Sequence, residues 1–125
     1  MNQVVHVVLD DTAMVAAGRG NLLASRLIHR AHGEAGWHLY APACALVEAD
    51  RARPGTAEHI AALPGITVVD LDLSAALALA RDTTWATAHT RHTALPTPER
   101  PDGAVVATAA PDQWAGHPVR TLDLT

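Results

Sequence analysis

A chain of 125 residues, 49% apolar and 18% charged, has the size for one aliphatic core and excludes two. Its one cysteine excludes an intrachain disulfide, and a net charge of −4 carried against nine arginines and no lysine argues against a broad cationic surface for nucleic acid, while leaving a local arginine contact open. No window holds the roughly 18 consecutive apolar residues of a membrane span and no secretory leader is recognisable at the N-terminus, so the composition implies a soluble, cytoplasmic protein with no membrane contact.

Val4 to Leu9 is a nearly continuous β-branched run interrupted only by His6, the pattern of a central strand covered on both faces. It ends in Asp10 and Asp11, at the edge where open α/β sheets bind ligands; Asp11 or Thr12 is the expected cap of a helix beginning near Ala13. Asn21 to His32 predicts an amphipathic helix with Leu22, Leu23, Leu27, Ile28 and Ala31 inward. Trp37 to Ala41 reads as a short strand or extended segment, and Pro42 opens a further helix that buries Cys44 or Ala45, then Leu46, Val47 and Ala49, with Glu48 set among them. A short helix between Thr56 and Leu63 leads to a strand at Ile66 to Val69. A long helix is expected from Ser74, as its cap, to His92, with Leu77, Ala80, Trp85 and Ala88 inward. After a proline loop, "DGAVVATAA" reads as a short buried helix opened by Asp102, and "HPVRTLDL" as a last strand. The order predicts a single α/β domain over residues 1–125, with a central, mostly parallel sheet flanked by helices.

Three acids occupy places where a lone charge is costly: Asp10 ends the central strand, Glu48 interrupts an apolar turn and Asp102 opens a buried helix. Buried carboxylates without partners lose several kcal/mol or gain protons, so three that converge need arginines or a cation. Mg²⁺ or Mn²⁺, hard ions that take oxygen ligands, suit such a set and can polarise a phosphodiester and activate water. Histidines spaced i, i+3, His29 with His32 and His89 with His92, lack the partner motif of a zinc site and read as solvated helix surface.

These stretches resemble the PIN domain, the small α/β nuclease fold of VapC-type toxins in bacterial toxin–antitoxin pairs. "VVLDDTAM" carries the strand-end acid, Asp10; "APACALVEADR" the proline-led helix with Glu48; "DGAVVATAA" the aspartate-led segment with Asp102, Val105, Ala107, Thr108 and Ala109. The resemblance implies a metal-dependent endoribonuclease in which Asp10, Glu48 and Asp102 hold Mg²⁺ or Mn²⁺, Thr12 fixes Asp10 or a metal-bound water, and Arg100 contacts a phosphate. It further implies a fourth acid two residues after a threonine, for which "VRTLD" offers Thr121 and Asp123. RNA is then the substrate and an antitoxin protein a partner. A homodimer would use the apolar faces of the helices at Asn21 to His32 and Pro42 to Arg53. The alternative is a PIN-like binding module without catalysis. A receiver-like fold is disfavoured because it needs a lysine, and a purely structural role would make the acids caps and surface charges.

Overall fold

The computed structural model describes residues 4–82 and 84–125. Five strands, β1 (Val5–Leu9), β2 (Trp37–Pro42), β3 (Ile66–Val69), β4 (Val105–Thr108) and β5 (Thr121–Asp123), form one all-parallel sheet in the order β3-β2-β1-β4-β5. Six helices supply the crossovers: α1 (Asp11–Gly18), α2 (Leu22–Gly33), α3 (Ala43–Ala52), α4 (Thr56–Ala61), α5 (Leu73–Leu79) and α6 (Trp85–Ala94). A 3-10 turn at Pro111–Trp114 joins β4 to β5. The expected α/β architecture is present, with β1 central and running in the same direction as β3.

Side-chain alternation along the strands builds two cores. Val7, Leu9, Leu39 and Ala41 face α1 to α4, where they bury Ala13, Met14, Leu27, Leu46 and Ile60. Val8 and Val106 face the other way, against Ala94 at the end of α6 and Trp114. The first three strands add outward on one side of β1; the α5–α6 crossover then returns the chain to its other side. The strand order thus reverses between β1 and β4, so the carboxyl ends of these two strands form the switch point where an α/β sheet opens a crevice.

Several sequence expectations are corrected here. "DGAVVATAA" is not a helix: Val105 to Thr108 are β4, hydrogen-bonded beside β1. A short apolar run does not declare its own period, and the adjacent β-branched valines favour the extended state. The long helix from Ser74 to His92 is two helices, and Asp72 caps the first by accepting from the Ala75 N–H at 2.8 Å. Ala75 and Leu79 turn inward there, whereas Leu77 and Trp85 are exposed. Leu22, Leu23 and Val47, expected inside, are also exposed. His89, expected in solvent, is completely buried.

Gly103 shows why the turn into β4 admits no side chain. Its φ is +70°, and an added Cβ would lie 2.5 Å from the Ala94 carbonyl oxygen, the acceptor for the Ala104 N–H. Gly55 has φ +92° with open space around it. Gly103→Ala should therefore destabilise the fold by roughly 2 to 4 kcal/mol and Gly55→Ala by about 1, from conformation alone. Urea unfolding of the two variants beside the parent checks the difference.

Candidate functional site

Asp10 leaves the end of β1 at φ −80° and ψ 178°, extended geometry that makes it the N-cap of α1. Its Oδ1 accepts the Ala13 N–H at 2.8 Å and the Thr12 hydroxyl at 2.7 Å, and Oδ2 accepts the Trp114 indole N–H at 2.9 Å. The residue is 1% exposed. Thr12 in turn accepts the Ala109 N–H at 2.9 Å and lies 3.2 Å from the Thr108 hydroxyl. The expected role of Thr12 in fixing Asp10 is thus seen in the hydrogen bonding, which knits together β1, α1, the end of β4 and the 3-10 turn.

Asp10 takes the cap, so Asp11 does not, contrary to the sequence reading. Asp11 is the first residue of α1 and lines a cleft of about 870 Å³ together with Glu48, Cys44, Arg51, Thr84, Trp85 and His117. Burial pushes its carboxyl above the usual range; the neighbouring Asp10 charge adds to this and Glu48 contributes more weakly, against the pull of its own N–H and that of Thr12. Glu48 is exposed on the cleft wall rather than enclosed in an apolar turn.

The helix that carries Glu48 is held from an unexpected direction. Pro42, the N-cap of α3, offers no side-chain acceptor, and His89 Nδ1 accepts the Cys44 N–H at 3.2 Å instead. That bond requires the neutral ring. Burial holds the imidazole below its usual value, with His92 acting in the same sense, and the Asp70 backbone and Asp72 charge only partly oppose this. Nε2 completes no hydrogen bond in good geometry among the described residues. Burial also pushes the Cys44 thiol up, which leaves it protonated at neutral pH.

The other proposed site residues do not join this cleft. The register sets Leu9 beside Ala107, so Asp10 is level with Thr108, while Asp102 lies at the amino end of β4. At a rise of about 3.3 Å per residue the three steps from Thr108 back to Val105 cover about 10 Å, and Asp102 lies beyond them in the turn before β4, at the opposite edge of the sheet from Asp10. Asp102 is exposed and helps line a separate cavity with Arg100 and Arg120. Arg100 stands over the Tyr40 ring, 4.8 Å from its centroid. Asp123 is at the correct end of the sheet but two strands away from β1, where it accepts the Thr125 N–H and hydroxyl at 2.8 and 2.6 Å. These bonds lower its carboxyl pKa. Thr121, exposed at the start of β5, is not part of the cleft. Elsewhere, Asp72 is a helix cap and Asp82 pairs with Arg91 at 2.6 Å.

A trio of Asp10, Glu48 and Asp102 therefore does not fit one cation, and no group of three or more metal-ligating side chains is found among the described residues. Asp11 and Glu48 line one cleft, and a pair of carboxylates is a donor set that suits an ion keeping most of its waters, since Mg²⁺ is often held by only one or two carboxylates together with substrate phosphates. The sole ion pair among the described residues is Arg91 with Asp82, so Arg51, which lines the same cleft, is not in contact with these carboxylates. Asp11 and Trp114 were the residues missed by sequence reasoning. Adjacent acids at a strand end were the available signal, because only one of two can cap.

His89 gives a pH dependence of known sign. A histidine whose folded pKa is lowered adds stability above its unfolded value near 6.5, and that stability is lost as pH falls from there toward the folded value. The parent should lose urea resistance between pH 7.5 and 5.5, and His89→Gln should flatten the dependence. Equal slopes for the two proteins would remove His89 as its source.

No protein-family model and no curated protein matches this chain.

Proposed function

We propose that this chain is a PIN-like, Mg²⁺- or Mn²⁺-dependent endoribonuclease that works at the Asp11–Glu48 cleft, in the manner of the toxin of a toxin–antitoxin pair. One observation carries the reading: at the sheet's switch point, a carboxyl whose proton affinity is raised by burial and by two other acids faces an open cleft with no arginine paired to it. Asp11 and Glu48 would hold the cation, which when bound supplies the polarisation of a phosphodiester and an activated water. Asp10 contributes a fixed negative charge that its three donors keep in place. Arg51, on the same cleft, is a cation that can meet phosphate oxygens, and the His117 ring lines the cleft with it. Trp85 is 68% exposed at the cleft and offers a face for a base, worth about 1 to 3 kcal/mol per stacked base. The apolar Val47 and Leu71 beside it would seat an antitoxin segment or a second copy.

A second reading, a module that binds RNA without cutting it, is favoured by the indole on Asp10 Oδ2, a donor placed where a catalytic carboxylate would otherwise offer an oxygen to a metal.

Stability and activity together separate the readings. A carboxyl with a raised folded pKa opposes folding when ionised and relieves that cost only as pH falls through the raised value. Asp11→Asn should therefore be at least as stable as the parent in chelator. In Mn²⁺ the parent should gain about 2.7 kcal/mol at a hundredfold excess over Kd, and the variant should lose most of that gain along with RNA cleavage. Metal-shifted melting with RNA bound but uncut would select the binding module; no metal shift and no cleavage would end the nuclease reading.

A further inference from the structure

On the sheet face opposite Val7 and Leu9, the amino ends of β1 and β2 carry a row of flat side chains. His6 and His38 are register partners on adjacent strands, and their rings stack at 5.1 Å with 19° between planes. Tyr40, two residues along β2, lies 5.8 Å from His6 at 32° and its hydroxyl is 2.8 Å from His6 Nδ1. The Arg100 guanidinium covers the Tyr40 ring. Helix α6 covers this face only as far as Val8 and Val106, through Ala94. His38 is therefore left exposed, and His6 and Tyr40 half-buried.

A cavity of about 380 Å³ adjoins the row, lined by His6, Arg100, Arg120, Glu99 and Asp102. Neither arginine forms an ion pair among the described residues; Arg120 donates to the Asp102 backbone carbonyl at 3.2 Å. The loop that presents Arg100 is held in advance. The Arg100 N–H donates to the Thr97 carbonyl and hydroxyl, its carbonyl accepts from Thr97 and Gly103, and Gly103 packs against the end of α6. A preorganised loop of this kind lowers the ordering cost of binding.

We propose that this cavity is a second site, which takes a nucleotide: the phosphate on Arg100 and Arg120, and the base beside His6, the one ring of the row that lines the cavity, reaching out to the exposed His38 imidazole. Two guanidiniums at one opening, one resting on the Tyr40 ring and one on a backbone carbonyl but neither in an ion pair among the described residues, suit a phosphate, to which arginine binds in fork geometry. The ring row suits a base, which stacks without regard to its sequence. Glu99 and Asp102 repel a bare anion but accept from amino and ribose hydroxyl groups, so the lining selects a nucleotide over inorganic phosphate. The site lies at the opposite end of the sheet from the acidic cleft and does not depend on cleavage there. The nucleotide can be free or part of a single-stranded RNA.

Titration of the full chain in EDTA, followed through the imidazole C–H resonances, tests this with three probes: 5′-GMP, a short single-stranded RNA and inorganic phosphate. A nucleotide should shift the His6 and His38 signals, and the double substitution Arg100→Gln, Arg120→Gln should weaken its binding about tenfold or more, with the circular dichroism unchanged. His38→Ala, at an exposed position, should weaken binding by a smaller factor and gives a check that does not disturb the loop. RNA binding at least tenfold tighter than GMP at the same signals would identify RNA as the source, and equal or weaker RNA binding the free nucleotide. The site is overturned if phosphate alone reproduces the shifts, if neither nucleotide probe moves these resonances at millimolar concentration, or if both sets of variants bind as the parent does.

Discussion

Both carboxylate oxygens of Asp10 are spoken for by donors from the protein: a helix N-terminus and a hydroxyl on one, an indole on the other. Hydrogen bonds to a charged group contribute about 1.5 to 3 kcal/mol each, whereas the desolvation of a carboxylate costs several. The charge is therefore tolerable in the core only while all three donors remain. Its position is fixed in consequence, and so is that of everything attached: the start of α1, the end of β4 through Thr12, and the 3-10 turn that carries Trp114. This anchored charge adds to the burial that raises the proton affinity of Asp11.

Position along the sheet divides the chemistry of the molecule. The carboxyl ends of β1 and β2 lead to Asp11 and Glu48, while the amino ends of β1, β4 and β5 lead to His6, Arg100 and Arg120. A net charge of −4 averages over two unlike ends, a cleft with Asp11, Glu48 and Arg51 and a cavity in which Arg100 and Arg120 stand beside Glu99 and Asp102. Parallel strands make such a division natural, since all five begin at one edge and finish at the other.

Local pattern recovered β1, the position of β3 and the acids at the end of β1, because a β-branched run buried on both faces leaves few alternatives. The Thr12 hydroxyl meets Asp10, one of the two partners, Asp10 or a metal-bound water, that the PIN resemblance implies for it. The failures share a different cause. Asp102 was joined to Asp10 through the residue types of "DGAVVATAA", but whether that segment is a strand or a helix decides which end of the sheet its first residue occupies, and four apolar residues do not settle the period. His89 and Trp114 act across the chain on Cys44 and Asp10, respectively 45 and 104 residues away in sequence. Nothing near either position in the sequence announces such a partner.

The outermost strands have only four residues in β3 and three in β5. Each is bounded by charge: Asp70 follows β3, Arg120 precedes β5, and Asp123 ends it while turning its carboxylate back onto Thr125. An intruding strand would find only two or three unpaired backbone groups before meeting an ion that it must desolvate. Short, charge-bounded edges of this kind resist lateral addition. The sheet can thus keep exposed leucines and a tryptophan on its helices without inviting fibril growth along its own hydrogen-bonding direction.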